Sequence, residues 1–504
     1  MTTRNYSGLV DRRGLLRSSA LLGSALVLGN RASFAQVSVP LLKVDTRTIE
    51  VNKKAATVFR VTGPSGRSGI TAAEGDRFSG TLLNASGEPL QMHWHGQIDA
   101  PFEQDRARPG GGTLASGNTD AHDFPLRPGT HWMHSHSLSE QQLLAAPLVT
   151  REKDAGDEQD VVIMLHDFAF RSPQEILAEL GGTDAHAGHG SQPAAARPAP
   201  AGGSSTMPRG SGMQHGPGMM HGPGGMHGGG GGHMMGMSHA NDVNYDAYLA
   251  NDRTLDDPEL VQVEKNSRVC LRIINAGTAT AFFITTPGLT SRCVAVDGSP
   301  CQPLEAAQYP LAQGQRIDLI VSIPASGGAF PVLAQVEAAT QVTGIVLATA
   351  GAKVAKIAAT AARPQAAVDL GLEARLRAAR PLAPKHADKA FMVMLGEEPG
   401  YRWTLNGRIH GEHVPFDVRL GERVEMTFMN PTMMMHPMHL HGHHFQVVAI
   451  GGRSMAGAVR DTVMVPGHMP VTIAFDARQK GNWYLHCHHL YHMATGMMTE
   501  VRIT

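Results

Sequence analysis

The stretch HCHHLYHMATGM, residues 486–497, places a cysteine between two histidines and follows it with a further histidine and a methionine. Side chains alternate between the two faces of a β-strand, so Cys487 would face away from His486 and His488. Its thiolate can then bind one metal ion while the flanking imidazoles bind others. A copper ion held by two histidines, one cysteine and a weak axial thioether is an electron-transfer site. The remaining ligands of such a site are close in the sequence: His436, His492 and Met497.

Three further His-x-His pairs stand outside any low-complexity sequence and share the same spacing. They are His93-Trp94-His95, His134-Ser135-His136 and His439-Leu440-His441. In a strand this spacing directs both imidazoles of a pair to one face. One pair could arise by chance in a histidine-rich chain, but four pairs in strand-like contexts predict a cage of eight imidazoles. Such a cage has enough ligands for three copper ions and leaves positions open for a small molecule.

The composition excludes several classes of protein. The chain has 504 residues, and its 43 Lys and Arg balance its 44 Asp and Glu, so charge gives no reason to expect a nucleic-acid or anionic-membrane partner. Histidine and methionine number 27 and 26, whereas cysteine occurs four times. So few cysteines exclude a disulfide-stapled scaffold, and their spacing excludes a zinc ribbon. At about 150 residues per domain, the length allows about three domains.

Short alternating apolar segments, separated by Gly, Pro, Asn and Asp, make up most of the chain. This pattern is typical of strands in an all-β sandwich or barrel. The segments form three blocks, at about 39–151, 261–347 and 390–504, which agrees with the domain count from length. Residues 351–387, rich in Ala, Arg and Pro, are predicted to be a partly helical linker between the second and third blocks.

The tract 181–240 interrupts this plan with Gly, Pro, Ser, His and Met and almost no branched aliphatic residues. Ordering a backbone costs about 1–2 kcal/mol per residue, which this composition cannot offset, so we predict disorder. The tract holds eight Met and seven His. Because thioethers favour Cu(I) and imidazole binds both oxidation states of copper, it is a candidate copper-collecting arm. The alternative is a linker whose Met and His have no role.

The first 35 residues are predicted to be an export signal. Arg12-Arg13 with Leu15-Leu16 resembles a twin-arginine signal, an apolar run follows at 20–28, and Ser33-Phe34-Ala35 forms a small-x-small cleavage site. An ordinary secretory signal is the alternative. Either signal predicts a periplasmic or extracellular protein. No later apolar run reaches the roughly 20 residues of a membrane-spanning helix, so we expect no membrane span after cleavage.

In chain order, HWHG (93–96), GTHWMHSH (129–136), HPMHLHG (436–442) and HCHHLYHMATGM (486–497) resemble the four copper motifs of three-domain multicopper oxidases. The resemblance is greatest to the bacterial laccase-like and copper-tolerance branch. It implies an all-β fold of three consecutive cupredoxin-like Greek-key β-barrels, with a trinuclear copper cluster between the first and third. The implied domains are 36–180, 241–350 and 388–504. The signal 1–35 precedes the first domain, the insertion 181–240 separates the first from the second, and the linker 351–387 separates the second from the third.

The resemblance also implies four copper ions and their ligands. The type 1 copper would be bound by His436, Cys487 and His492, with Met497 as axial ligand. The type 2 copper would be bound by His93 and His439. The type 3 pair would take His95, His134 and His488 on one ion and His136, His441 and His486 on the other. Compared with the non-ligating Leu or Phe of other members of the family, a coordinating thioether at Met497 is expected to stabilise oxidised copper and so to give a modest type 1 potential.

The implied reaction takes electrons singly from a reducing substrate and uses four of them to reduce dioxygen to two waters. Protons must reach the dioxygen site, and members of the family use a carboxylate a few residues after the first histidine pair. Asp105 is our candidate and Glu103 the second choice. Some relatives have a second carboxylate after the last type 1 histidine, but Met493 occupies that position here.

The leading hypothesis for the substrate is Cu(I), oxidised in the periplasm as part of copper tolerance, with laccase-like oxidation of phenols alongside. Met434 matches a substrate-binding methionine of the cuprous-oxidase branch, but Thr432 replaces the accompanying Asp. Met433 and Met435 either compensate or only pack around the type 1 copper. The alternatives are a general laccase for phenolic substrates and a non-enzymatic cupredoxin scaffold, against which the twelve filled ligand positions argue. A two-domain copper nitrite reductase is excluded by the third β block.

Two minor questions concern assembly and the remaining cysteines. We expect a monomer. Cys293 and Cys301 could close a short disulfide loop in an oxidising compartment, and buried free thiols, as for Cys270, are the equal alternative.

Overall fold

The structure, a computed structural model, describes residues 41–181 and 240–504. The predicted signal 1–35 and all but the ends of the tract 181–240 lie outside these residues. Within them, the regular structure is almost entirely β-strand, arranged as six sheets in three consecutive pairs.

The first pair of sheets is built from eight strands. These are β1 Leu41–Val51, β2 Lys54–Thr62, β3 Ile70–Ala73, β4 Arg77–Asn84, β5 Met92–His95, β6 Thr119–Pro125, β7 Gly129–Ser135 and β8 Ala145–Arg151. One sheet has the order β2-β1-β4-β6 and the other β3-β8-β7-β5. Buried and outward positions alternate along β4, as a half-buried strand requires. The inward side chains, such as Phe78, Leu82 and Phe124, form the core between the sheets.

Eleven strands form the second pair. They are β9 Gln159–Phe168, β10 Ala247–Ala250, β11 Leu260–Gln262, β12 Arg268–Asn275, β13 Phe282–Thr285, β14 Ser291–Val296, β15 Ser299–Glu305, β16 Tyr309–Leu311, β17 Arg316–Ser322, β18 Ala329–Val336 and β19 Val342–Ala348. The sheet orders are β10-β9-β12-β17-β14-β15 and β11-β19-β18-β13-β16. Cys293 and Cys301 are buried free thiols on β14 and β15, with their sulfur atoms 3.7 Å apart.

The third pair contains the remaining strands. They are β20 Lys389–Glu398, β21 Arg402–Leu405, β22 Phe416–Val418, β23 Arg423–Met429, β24 His436–Leu440, β25 Phe445–Ile450, β26 Arg453–Ser454, β27 Val459–Arg460, β28 Thr462–Val465, β29 Val471–Asp476, β30 Gly481–Cys487 and β31 Met498–Ile503. One sheet runs β21-β20-β23-β29-β25-β26, with β27 paired to β25, and the other runs β22-β31-β30-β24-β28. Its core includes Phe428, Met438, Phe445, Cys487 and Met497.

Each pair of sheets contains two parallel strand pairs, which hairpins cannot produce. They are β1–β4 and β3–β8, β9–β12 and β11–β19, and β20–β23 and β22–β31. Parallel neighbours require a long connection that brings the chain back beside an earlier strand, and such connections are typical of the Greek key. The chain therefore folds into three cupredoxin-like domains, and the predicted all-β fold class is confirmed.

Two segments differ from the sequence-based description. The strand β9 falls within the range 36–180 assigned to the first domain, yet it pairs in parallel with β12 of the second domain over seven residues. Its apolar pattern marks a strand but carries no information about the partner. The linker 351–387, all of which the structure describes, contains no α-helix. Instead Val368 and Leu370 pack on the third core and Leu372 and Leu376 on the second.

Helices are short in the described part of the chain. The α-helix α1 spans Pro173–Glu179 and begins with a capping box between Ser172 and Glu175. The α-helix α2 spans Leu490–Ala494, and two 3₁₀ turns lie at Phe102–Gln104 and Leu138–Gln142. Among residues 41–181 and 240–504, no helix is long and apolar enough to cross a membrane.

Candidate metal centre

The eight histidines of the His-x-His pairs meet between the first and third domains. In the first domain, strand pairing sets His93 opposite His134, and in the third it sets His439 opposite His486. All eight side chains are at least 95% buried. The spacing of two residues thus directs four imidazoles from each domain into one shared volume, as the sequence predicts.

The nitrogens of this cluster face one another at close range. His93 Nε2 lies 3.2 Å from His439 Nε2, and His95 Nδ1 lies 3.4 Å from His134 Nε2. His486 Nε2 lies 3.3 Å from that of His136 and 3.0 Å from that of His441. The ring of His488 lies 5.0 Å from that of His134, and its Nε2 has no hydrogen-bond partner among the described residues.

In three of these imidazoles, a hydrogen bond at the opposite ring nitrogen, Nδ1, fixes the tautomer. His93 Nδ1 donates to Asp105 Oδ2 at 2.7 Å, His439 Nδ1 donates to the Asp461 carbonyl at 2.8 Å, and His486 Nδ1 donates to the Cys487 carbonyl at 2.9 Å. The two carbonyls can only accept, and ionised Asp105 accepts as well, so each Nε2 presents a lone pair to the cluster. Lone pairs 3.0–3.4 Å apart repel, and a cation between them turns this repulsion into coordination. The donor set therefore fits metal ions.

The protonation state of the imidazoles agrees with this role. Burial lowers the pKa of His439, His441 and His488 well below the ordinary value, and neighbouring imidazoles lower that of His441 and His488 further. Neutral imidazole is the form that binds metal ions.

A second donor set lies on the other face of β24 and β30. The register pairs Met438 with Cys487 beside the His439–His486 pair, so the cysteine points away from the imidazole cluster. Its Sγ lies 3.6 Å from His436 Nδ1 and 3.8 Å from His492 Nδ1, and these two nitrogens are 3.2 Å apart. A point equidistant from all three atoms lies about 2.1 Å from each, close to the about 2.0–2.3 Å of metal–imidazole and metal–thiolate bonds.

The two imidazoles of this set are also oriented by their far nitrogens. His436 Nε2 donates to Thr432 Oγ1 at 3.0 Å, and His492 Nε2 lies 3.5 Å from Asp242 Oδ2. Trp403 stacks on His492, with ring centroids 3.9 Å apart. Met497 is fully buried in the same core as Cys487, and its carbonyl accepts from the Cys487 amide at 3.0 Å. Burial raises the pKa of the Cys487 thiol, and a bound metal ion reverses that by stabilising the thiolate.

The two candidate proton carriers are in different surroundings. Asp105 is buried against His93, its Oδ1 accepts from the Ala107 amide at 2.9 Å, and burial raises its pKa to about 7. Glu103 is exposed on the 3₁₀ turn. Asp105 also lines a small cavity with His93, His439 and Asp461.

Several residues of the site carry no motif in the sequence. Asp461 Oδ1 accepts from His95 Nε2 at 3.0 Å, and Glu140 Oε2 lies 3.1 Å from His134 Nδ1. Asp242 lies 3.2 Å from His489 Nε2 as well as beside His492, and Tyr401 donates a hydrogen bond to it. Burial raises the pKa of Asp242, but attraction to the two imidazoles outweighs this and holds the pKa well below its ordinary value. Asp461 and Asp242 lie too far in sequence from the histidines that they contact for spacing to reveal them, and Glu140, six residues after His134, stands in no recognisable motif.

The three methionines before His436 have different surroundings. Met434 and Met435 are partly buried and pack on the third core, whereas the Met433 side chain is 62% exposed. Thr432 stands where the family's carboxylate was expected, and its hydroxyl accepts the hydrogen bond from His436 Nε2.

Comparison with known proteins agrees with this geometry. Residues 43–154, 229–356 and 383–504 each match a sequence family described as multicopper oxidase. The chain is 30% identical over 447 residues to the multicopper oxidase MmcO of Mycobacterium tuberculosis, covering 86% of this chain and 80% of the relative. The chain belongs to the multicopper oxidase family. Multicopper oxidases are copper-dependent oxidoreductases, which accounts for a donor set of imidazoles, one thiolate and one thioether.

Two further relatives broaden the comparison within the multicopper oxidases. Copper resistance protein A of Escherichia coli is 23% identical over 544 residues, covering 85% of this chain and 86% of the relative. The crystal structure of a multicopper oxidase from Pseudomonas thermotolerans superimposes with a TM-score of 0.64 at 19% identity, covering 92% of this chain and 98% of the other. The latter likeness concerns the fold.

Proposed function

We propose that this multicopper oxidase binds four copper ions and oxidises Cu(I) to Cu(II) with dioxygen as electron acceptor, with oxidation of phenols as an accompanying activity. The observation that carries the proposal is the covalent joining of the two donor sets. Cys487 of one set is bonded in sequence to His486 and His488 of the other. An electron taken up at the first set therefore has a short through-bond path to the second.

The assignment of ligands follows the donor geometry. His436, Cys487 and His492 would hold the type 1 copper with Met497 as a fourth, thioether donor, and His93 and His439 would hold the type 2 copper. His95, His134 and His488 would hold one ion of the type 3 pair, and His136, His441 and His486 would hold the other. Copper in these sites supplies one-electron oxidation of the substrate and four-electron reduction of dioxygen. The chain supplies fixed donors, their orientation and exclusion of water.

Asp105 is the proposed proton carrier. Its carboxylate accepts from His93 Nδ1 and borders the small cavity beside the imidazole cluster, so Asp105 is within one hydrogen bond of a ligand. Glu103 is the weaker candidate because its side chain is exposed. Asp105→Asn should lower turnover with either substrate, and Glu103→Gln, the matched control, should not.

Thioether chemistry supports Cu(I) as the substrate. Met433 lies exposed three residues before His436, and the tract 182–239 holds eight Met and seven His. The described structure resumes directly after this tract, at Ala240. Ala240 lies two residues before Asp242, which contacts His492. Similarity to copper resistance protein A points in the same direction. We propose that the tract collects Cu(I) for the type 1 site.

We also propose that the signal exports the protein to the periplasm by the twin-arginine route. The exported protein is proposed to act as a monomer.

Oxygen uptake tests both halves of the proposal. Uptake should be measured with buffered Cu(I) and with a phenol, on the intact chain and on a variant lacking 182–239. We expect both substrates to be oxidised by the intact chain, and the deletion to lower kcat/KM for Cu(I) more than for the phenol. Equal kcat/KM for Cu(I) in the two proteins would refute the collecting arm. Oxidation of the phenol without oxidation of Cu(I) would favour a general laccase instead.

A further inference from the structure

A cleft lies where the first domain, the linker 351–387 and the third domain meet. Its volume is about 670 Å³, within the range of about 300–1,000 Å³ that small-molecule sites usually occupy. Each of the three parts of the chain contributes one arginine to its lining: Arg127, Arg380 and Arg478. The cleft therefore collects positive charge from segments that are far apart in the sequence.

The carboxylates of the cleft do not balance this charge. Its described lining contains two, Asp99 and Asp476. Asp476 already accepts two hydrogen bonds, at 2.7 and 3.2 Å, from an arginine of β23 that lies outside the cleft. Asp99 lies 3.5 Å from Arg127. Within the part of the chain that the structure describes, Arg380 and Arg478 form no ion pair.

Two of the guanidinium groups also repel each other. Burial lowers the pKa of Arg127, and the nearby charge of Arg478 lowers it further, although Asp99 opposes both effects. Like charges in a partly buried site disfavour one another, and an ion of opposite charge between them relieves the repulsion. The charges of the cleft thus favour an anion.

Buried side chains hold the backbone at these two arginines. The Arg127 amide donates to Gln97 Oε1 at 2.9 Å, and the Arg478 amide donates to His443 Nε2 at 3.2 Å. Both acceptor residues are at least 96% buried. Each directly follows a copper motif, Gln97 after HWHG and His443 after HPMHLHG. The backbone of both arginines is therefore fixed relative to the imidazole cluster.

The linker side of the cleft is held in the same way. The Leu382 amide, two residues after Arg380, donates to Gln446 Oε1 at 3.0 Å, and Gln446 is buried on β25. Donors that are already fixed lose less entropy when a ligand binds. The cleft also shares Ile98 and Gly442 with the small cavity beside the imidazole cluster, so the two cavities adjoin.

We propose that this cleft binds a small oxyanion that carries at least two negative charges, held by Arg127, Arg380 and Arg478. A guanidinium group donates two parallel hydrogen bonds to a phosphate or a carboxylate, which is the geometry that such an anion offers. Inorganic phosphate and an organic dicarboxylate share this chemistry. A bound anion would connect the first domain, the linker and the third domain, and so stabilise the folded chain. The inference does not depend on which reductant the oxidase uses.

Calorimetric titration of the copper-loaded full chain tests the site. Inorganic phosphate and succinate are titrated separately, with chloride added to keep the ionic strength constant. We expect saturable binding of one anion per chain. The affinity should be lower by about tenfold or more in Arg380→Gln and in Arg478→Gln, because each variant loses charge-assisted hydrogen bonds. Arg478→Lys keeps the charge without the planar fork and should weaken binding less than Arg478→Gln.

Arg453→Gln is the matched control, because Arg453 lies exposed on β26 and outside the cleft. Thermal unfolding is the second readout, since an anion that binds only the folded chain raises the Tm. Phosphate or succinate should raise the Tm of the parent and of Arg453→Gln, and should raise it less in Arg380→Gln and Arg478→Gln.

The relative affinities of the two anions identify the source. Tighter binding of phosphate would assign an inorganic anion, and tighter binding of succinate an organic carboxylate. Absence of saturable binding by both anions would overturn the inference. An unchanged affinity in either Arg380→Gln or Arg478→Gln would do the same, as would an equal loss in Arg453→Gln.

Discussion

The guanidinium of Arg316 donates two hydrogen bonds to the carboxylate of Asp461, at 2.7 and 2.6 Å, and both side chains are fully buried. The same carboxylate accepts from His95 Nε2. Arg316 lies on β17 of the second domain, His95 on β5 of the first, and Asp461 between β27 and β28 of the third. The middle domain, which contributes none of the proposed copper ligands, thus orients one of them through this ion pair.

Asp461→Asn should therefore disturb the imidazole cluster and leave the cysteine site intact. It removes the nearer of the two buried carboxylates beside Arg316, since Asp297 lies 3.8 Å away, and this costs on the order of 3 kcal/mol. We expect less copper per chain, a lower Tm and slower oxygen uptake. The blue absorption that a cysteine-bound type 1 copper gives should be retained, because Cys487 faces the opposite side of the sheet. The control is Asp123→Asn, which breaks an exposed ion pair with Arg77. Full copper content in Asp461→Asn would contradict the proposed role.

Cys487→Ser tests the type 1 assignment. The hydroxyl occupies a similar position but does not replace a thiolate as a soft, charged ligand, so blue absorption and turnover with every reductant should disappear. The circular dichroism spectrum should stay that of the parent. Cys270→Ser, at another buried free thiol on β12, should keep its blue colour. Blue absorption in the Cys487 variant would refute the assignment.

Thr432→Val tests how His436 is oriented. The substitution keeps the shape but removes the hydroxyl that accepts from His436 Nε2 and donates to Asn430 Oδ1. A lost hydrogen bond of this kind costs about 1 kcal/mol, and we expect a shifted type 1 reduction potential and a kcat lowered by roughly a factor of ten at most. Thr427→Val, which breaks the 3.0 Å contact with Thr472 on the outer face of the sheet, should change neither quantity. An unaltered potential in Thr432→Val would mean that the hydroxyl does not tune the site.

Glu337 should make the stability of the second domain depend on pH. Burial raises the pKa of its carboxyl from 4.5 to about 7, although Oε1 accepts from the Val368 amide at 2.7 Å. The folded state therefore holds this proton more tightly than the unfolded state. The resulting stability is fully present below about pH 4.5 and is lost as the pH rises through about 7, by up to roughly 3 kcal/mol.

Glu337→Gln removes this titration and keeps the acceptor for Val368. Compared with the parent, the variant should have a similar Tm at pH 5 and a higher Tm at pH 8, measured by calorimetry. Glu50→Gln, at an exposed residue of β1, should follow the parent at both pH values. A parallel pH dependence of parent and Glu337→Gln would show that Glu337 ionises without cost.

Much of the metal centre follows from local periodicity. A spacing of two residues in a strand is enough to predict that His93 and His95 share one direction and that Cys487 opposes its neighbours. The all-β fold class was predicted from apolar alternation and the family from the resemblance of its four motifs, and both are confirmed. The signal and the insertion lie outside the described residues, so they stay predictions.

The partner of each strand and each ligand was not predictable in this way. The apolar alternation of β9 fits any sheet, and only the folded chain pairs it with β12 of the second domain. Asp461 and Arg316 are separated by 145 residues, and neither stands in a recognisable motif. Likewise Met433 and His468, which are 35 residues apart, come within 3.4 Å of each other only in the folded chain.

By itself, the sequence determined which side chains could bind copper and which face of a strand each one occupies, because both depend on residue type and on a two-residue repeat. Only the tertiary structure decided which ring nitrogens face one another, which carboxylates hold them, and which of three adjacent methionines remains exposed. Those outcomes depend on packing between segments that are far apart in the chain. Such contacts form cooperatively and produce no periodic pattern in the sequence.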